Sequence, residues 1–498
     1  MTEPNAAYKA LEAAFGRAIR IEEAAGWLHW DQSVTMPPGG AEARGEQAAA
    51  LAETAHAIVA APAQGERLAA ADAGDDPWAQ ANLREMRRRH AAATAIPADL
   101  VGALARAQSK AETAWRGARE ASDFQAALPS FAPLVALSRE EASALGGALA
   151  LGPYDALLDQ YDPGRRAADI QPVFDRLKVF LADAIPAIVD RQADWPADAP
   201  IRAPASAQRE AGVALLRAIG FDFHHGRLDD SLHPFSTGTP EDSRITARWD
   251  ENDALSGMMA VLHEAGHAAY TRGQPLAWRG QPAGDAAGMT AHESQSLTYE
   301  MQAGRTHGMS AFLASLLREI APRSRVTVDS VERSLLRVAP GYIRVEADEA
   351  TYPLHVIMRF EMEQGLIAGD LAPADLQEAW NAHVEDDLGL PAPDDRDGCL
   401  QDIHWFDGAF GYFPTYTLGA LAAAQLYRTA AADLGRDALE AAFQQGDYSS
   451  LTGWMRDRIH AKGCLYPSSD ALLAAATGSA LSADAFEAHI RERYLGRG

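Results

Sequence analysis

His263-Glu264-Ala265-Gly266-His267 lies inside an apolar, helix-patterned run over residues 255–270. Four steps of the 3.6-residue period overshoot one turn only slightly, so both imidazoles share a helix face and can reach one metal ion. Glu264 stands one step round from His263, placed to hold a water without having to be a ligand. Asn252 and Asp253 are candidate caps at the start of this helix, and Gly273 is a candidate stop. The pattern is H-E-x-x-H on a helix. The bland alternative is a pair of core histidines satisfied by hydrogen bonds. Met258, Met259, Val261 and Leu262 place the helix in a core, where paired histidines need a reason.

At 498 residues the chain exceeds the usual size of one domain, so two lobes or one large helical domain are both allowed. Lys+Arg 44 against Asp+Glu 69 gives a net charge of −25, which repels nucleic-acid phosphates and anionic lipid. An acidic surface kept for solubility explains the same charge and says nothing about substrate. Cys399 and Cys464 are the only cysteines, too few for a disulfide framework. Residues 1–11 have no basic cluster and no apolar core, and the longest apolar runs are too short for a bilayer. The expectation is a cytoplasmic protein with no nucleic-acid and no membrane partner.

Outward from the motif the chain reads as helix after helix. Apolar residues recur at helical spacing over 6–25, extended by Trp27, Leu28 and Trp30, until Met36-Pro37-Pro38-Gly39-Gly40 breaks the pattern. Helical stretches follow at 41–61, 78–93, 98–121, 124–145, 170–195 and 206–219. Arg87-Arg88-Arg89 reads as a solvated helix face. From about Phe221 the pattern changes: residues 231–237 and 244–250 alternate with β-branched and aromatic residues, which predicts a pair of short strands beside the metal helix. The Gly/Pro-rich segment 273–288 is long enough to be a functional loop. Helical patterning returns over 291–317, 329–338, 347–366, 373–387 and 416–429. The fold expected is mostly α, a large helical fold with a small β element. It divides into an N-terminal helical part to about 220, a metal-site part to about 420, and C-terminal helices.

A catalytic zinc usually has three protein ligands and one open position. After His267 the candidates are Asp285, His292, Glu293 and Glu300. Glu293, on a second helix packed against the first, is the preferred choice, and Glu300, seven residues on and on roughly the same face, is the fallback. A first-turn acid favoured by the helix dipole is the competing explanation of Glu293.

Further motifs stand around this core: His233-Pro234-Phe235, Asp242-Ser243-Arg244-Ile245-Thr246, His292-Glu293-Ser294-Gln295-Ser296, Ile343-Arg344-Val345-Glu346-Ala347-Asp348 and Gly398-Cys399-Leu400-Gln401-Asp402-Ile403-His404-Trp405. With Trp30-Asp31-Gln32 and Met36-Pro37-Pro38-Gly39-Gly40-Ala41-Glu42, they make the chain resemble the carboxypeptidase Taq (M32) family of metallocarboxypeptidases over nearly its whole length. The resemblance implies that residues 1–498 form a single catalytic domain with a deep active-site cleft, similar to neurolysin-like peptidases. It implies Glu293 as third zinc ligand, Glu264 as catalytic carboxylate, a homodimer, and broad preference at the C-terminal residue with proline and acidic residues disfavoured.

Two imidazoles and one carboxylate leave a zinc site of net charge about +1, which acidifies water and polarises a peptide carbonyl. Glu264 would take the water proton and deliver it to the leaving amine. One zinc per subunit is expected, with cobalt or manganese able to substitute. Tyr412, Tyr416, His404 and His233 are candidates to stabilise the oxyanion; for each tyrosine a satisfied core aromatic is the competing reading. Peptides with a free C-terminal carboxylate are the expected partners, and an arginine fork suits that group. Arg344 is the first choice and Arg244 the second, each with a nearby acid (Asp348, Asp242) that would otherwise claim it. Residues 401–405 read as cleft wall, with Gln401 and His404 as substrate contacts. Asp402 or Asp242 is read as orienting a ligand or catalytic histidine from behind, and His292, next to the expected ligand, as standing behind the metal rather than on it. His224, His225, His307 and His355 carry no supporting pattern.

Overall fold

The structure, a computed structural model, describes residues 2–496. It is mostly helical with one three-stranded sheet. The chain divides into two compact units, neither of them contiguous in sequence. One takes the chain through His90, then Trp195–Leu336 and Ala422–Leu481. The other takes Ala91–Asp194, Arg337–Leu421 and the chain from Ser482. Among the described residues no helix is long and apolar enough to cross a membrane.

In the first unit, helix Ala6–Val34 takes in Trp27, Leu28 and Trp30 and ends just before the expected break at Met36-Pro37-Pro38-Gly39-Gly40. Asn5 caps it by accepting from the Tyr8 amide, and Tyr8, Leu11, Phe15 and Ile19 form its buried stripe. Helix Pro77–Ala95 corrects the reading of its arginines. Arg87 is exposed, but Arg88 pairs with Glu85, Arg89 with Asp285, and Arg84 donates to the carbonyl oxygens of Cys464 and Tyr466. Carbonyls and carboxylates on this face need donors, so the cations turn inward.

The expected strand pair is a three-stranded sheet: β1 Gly226–Asp230, β2 Ser236–Thr239 and β3 Asp242–Ala247, in the order β1-β3-β2. β1 lies parallel to β3 and β2 antiparallel to it. β1 reads Gly-Arg-Leu-Asp-Asp and has no β-branched or aromatic residue to announce it. Residues 231–235, expected as strand, form the connection between β1 and β2, and β3 stops before Arg248. Ile245 and Ala247 of β3 join Leu228, Met258, Met259, Val261 and Leu262 in one core cluster, which seats the sheet against the metal helix.

That helix is Ala254–Gly273, capped by Asp253, whose carboxylate accepts from the Ser256 amide. The segment after it is a strap rather than a free loop. Arg279 bridges Glu23 and Glu241, Gln281 donates to the Glu12 carbonyl, and Trp278 stacks on Trp78 at 5.9 Å. Helix Met289–Leu297 follows and widens into a π-helical turn at Thr298–Ala303 before helix His307–Ile320. The continuous helix expected over 291–317 is therefore two helices with a π segment between them.

In the second unit, helices Ala98–Ala121, Phe124–Leu149, Ala167–Arg191, Tyr352–Ala368 and Leu376–Leu388 carry the core. The helix expected from residue 347 begins at Tyr352. Residues 344–346 form a single 3-10 turn, and Asp348 accepts from the amides of Ala350 and Thr351 and from the Thr351 hydroxyl. An acid that caps in this way stops the helix from propagating backwards.

Candidate metal centre

His263 and His267 lie on one face of the metal helix, with ring centroids 4.9 Å apart. Glu293, from helix Met289–Leu297, places Oε2 3.5 Å from His267 Nε2 and 4.0 Å from His263 Nε2. The three donor atoms all lie within 4.8 Å of one another. A tetrahedral ion with bonds near 2.0–2.1 Å needs donors about 3.3 Å apart, so a small inward movement seats one. Glu264 is buried beside them, and its Oε2 has no hydrogen-bond partner among the described residues. An orphaned carboxylate oxygen next to three converging donors fits a divalent cation with a water beside it.

Further groups hold these donor side chains in place. His263 Nδ1 meets Glu300 Oε2 at 3.0 Å, and Glu300 in turn pairs with Arg305 at 3.3 Å. His267 Nδ1 meets His292 Nδ1 at 2.7 Å, so one of these rings donates and the other accepts. Both Nδ1 atoms are thereby engaged and both Nε2 atoms face Glu293. Of the two acids between which the sequence left a choice, Glu300 lies against His263 Nδ1 and Glu293 converges with the two Nε2 atoms.

The centre is strongly polarised. Burial lowers the pKa of the His263 imidazole, but Glu293, Glu300 and Glu264 overcome that and push it up to about 10. Burial raises Glu293, yet the two histidines hold it at about 2. Glu264 is raised, because its burial outweighs the attraction of His263 and His267. Burial and His267 together take His292 down to about 3, which keeps it neutral. Three carboxylates around two imidazoles form an electronegative nest that attracts a cation.

Gly266, inside the motif, decides how closely the second helix approaches. A Cβ there would stand 2.5 Å from the Gln295 carbonyl oxygen and 2.6 Å from Ser296 Cα. Only glycine lets the two backbones touch, and that contact brings Glu293 to the histidines. The sequence reading treated Gly266 as spacing. Arg305 was missed as well, since nothing local ties it to Glu300. A second group, Glu361, His383 and Asp387, also gathers donors, but Lys178 Nζ already sits 3.1 Å and 2.8 Å from its two acids.

The other candidate residues fall into two places. Arg244, in the first unit, is bonded to Asp242 at 2.7 Å and stacks on Trp27 and Trp30 at 4.4 and 4.3 Å. Strand alternation turns it away from Ile245 and Ala247, which face the metal helix, so it pins helix Ala6–Val34 to the sheet. Asp242 is spent on Arg244 rather than on a histidine. His233 is exposed.

In the second unit Arg344 does not pair with Asp348. Its Nη2 lies 2.8 Å from Asp402 Oδ1, and its guanidinium stacks on Tyr416 at 4.8 Å. Asp402 therefore orients arginines, with His404 Nδ1 farther off at 3.8 Å. Gln401 accepts from the Arg344 amide and donates to the carbonyls of Tyr342 and Asp397, so its amide braces the Arg344 turn. His404 Nε2 is 3.4 Å from the Tyr416 hydroxyl, and its ring stacks on Tyr412. Arg359, which the sequence left unremarked, and His355, which carries no supporting pattern there, are both buried in this cluster. Both lie in an apolar helical run that offers no local signal.

Residues 10–494 match the family described as carboxypeptidase Taq (M32) metallopeptidase. The chain is 39% identical to thermostable carboxypeptidase 1 of Thermus thermophilus, covering 99% of each. It is 32% identical to carboxypeptidase 1 of Bacillus subtilis, covering 90% of each. Among solved structures, metallocarboxypeptidase 1 of Trypanosoma cruzi superposes with a TM-score of 0.94 at 34% identity, over 98% of this chain and 99% of that one. The M32 carboxypeptidase of Deinococcus radiodurans R1 superposes with a TM-score of 0.92 at 33% identity, over 98% and 99%. With a metal-ready donor set and similarity along its whole length, the chain belongs to the carboxypeptidase Taq (M32) family, a family of metal-dependent carboxypeptidases.

Proposed function

We propose that this chain uses one zinc ion, held by His263, His267 and Glu293, to remove single residues from peptide C-termini with broad side-chain tolerance. The observation that carries the reading is the buried, unpartnered Glu264 Oε2 beside three converging donors. When bound, a divalent cation there supplies Lewis-acid polarisation of the scissile carbonyl and a lowered water pKa. Glu264 Oε2 takes the proton of the attacking water and passes it to the leaving amine nitrogen. Its burial favours the protonated form and so suits it to that second transfer. Glu300 and His292 fix the imidazole orientations. Cobalt and manganese suit the same donors.

Arg344 is the reader of the substrate's terminal carboxylate, and His404, Tyr412 and Tyr416, gathered beside it, are the candidate oxyanion donors. A homodimer and a cytoplasmic location complete the proposal. Glu264→Gln tests it. The metal content measured by atomic absorption should stay at one ion per chain while peptide turnover disappears, and retained turnover would refute the assignment. An end-blocked peptide separates exo- from endo-cleavage: an amide cut as fast as the free acid would favour an endopeptidase.

A further inference from the structure

Asp402 is shared by two arginines. Arg344 binds it with Nη2 at 2.8 Å from Oδ1, and Arg359 with Nε at 2.9 Å and Nη2 at 2.7 Å from Oδ2. Arg359 is 0% exposed, packed over Trp380 at 4.5 Å and Phe413 at 5.3 Å. Two guanidiniums and one carboxylate sum to one uncompensated positive charge. The neighbouring rings add no charge to it: burial and the guanidiniums hold His355 at about 3 and His404 at about 4, both neutral. Glu363, one turn beyond Arg359, accepts from the Tyr154 hydroxyl, the Trp405 indole and the Gly411 amide, with no guanidinium bonded to it among the described residues. Burial raises its carboxyl to about 7, so it offsets the charge only in part. A buried surplus charge is costly until an anion joins it.

We propose that Arg359 is a positioning residue whose charge turns the Arg344–Asp402 pair into a receptor for the substrate's C-terminal carboxylate. Without Arg359 the pair is neutral, and an incoming carboxylate would have to compete with Asp402 for a guanidinium already satisfied. With it, Asp402 is neutralised from below while still holding Arg344 in one orientation against Tyr416. The inference rests on the reading of Arg344 as the carboxylate contact.

The test uses the zinc-loaded enzyme, with a product-like dipeptide and its C-terminal amide as competitive inhibitors. Free-acid preference is the ratio of the two inhibition constants. Arg359→Met should cut that preference by about tenfold to a hundredfold while leaving amide binding unchanged. Arg359→Lys should restore most of it. The deciding variant is Arg359→Met with Asp402→Asn, which leaves Arg344 with a full positive charge. It should recover about tenfold of the preference, whereas a merely structural role would make the double variant worse. Because the double variant carries no unpaired acid, it remains informative even if Arg359→Met alone unfolds. An unchanged ratio in Arg359→Met, or no recovery in the double variant, overturns the proposal. Arg344→Met separates the failures. If it leaves the ratio intact, the Arg344 reading itself is wrong. If it abolishes the ratio while Arg359→Met does not, only the role of Arg359 falls.

Discussion

Replacing Gly266 by alanine places a methyl carbon 2.5 Å from the Gln295 carbonyl oxygen and 2.6 Å from Ser296 Cα, where ordinary contact begins near 3.4 Å. Both obstacles are backbone, so no side-chain rotation relieves them. Helix Met289–Leu297 must retreat by roughly 0.8–0.9 Å, and Glu293 rides on that helix one turn from Ser296. Metal–ligand bonds tolerate about 0.2 Å, so the displacement exceeds what the donor set can absorb. Overpacking of this kind costs about 1–3 kcal/mol. If about 1.4–2.7 kcal/mol of it falls on the ligand geometry, zinc affinity drops tenfold to a hundredfold. Competition with a chelator of known affinity measures it, alongside the melting temperature of metal-free protein. Equal zinc affinity and equal melting temperature in Gly266→Ala and wild type would refute the argument that helix contact at this glycine sets the site.

Glu300→Ala should weaken zinc about tenfold to a hundredfold, because His263 loses the acceptor at Nδ1 and Arg305 its carboxylate. Glu300→Gln, which keeps an acceptor oxygen, should lose far less; equal losses would argue against an orienting role. In metal-free protein His263 has its pKa raised from 6.5 to about 10, and zinc needs the neutral ring. Binding should therefore release about one proton per ion between these values, with affinity climbing about tenfold per pH unit. Calorimetry in two buffers of different protonation enthalpy counts that proton, and a count of zero would rule the linkage out. The same shift should stabilise metal-free protein fully below pH 6.5, and that contribution should fade as pH rises through about 10.

What could be read before any fold was known is what lies within a turn or two of chain. His263, Glu264 and His267 are fixed relative to one another by helical geometry, and Asp253 and Gly273 mark the ends of that helix as expected. The helix pattern was legible for the same reason: burying one stripe of each helix imprints its period on the sequence. β1 stayed hidden because a parallel strand between polar residues needs its partner to define it.

The centre's finer logic is long-range. Glu293 and Glu300 are alike in the sequence, and only the approach at Gly266 assigns one to the donor set and the other to His263 Nδ1. Arg344 looks tied to Asp348 if residues 344–348 are helical. They are not, and Asp402, 58 residues away, takes the guanidinium. The period of a helix carries no information about which charged group arrives from elsewhere, since burial of an ion is decided by the partner that meets it. Local chain geometry wrote the motif, and tertiary packing chose what surrounds it.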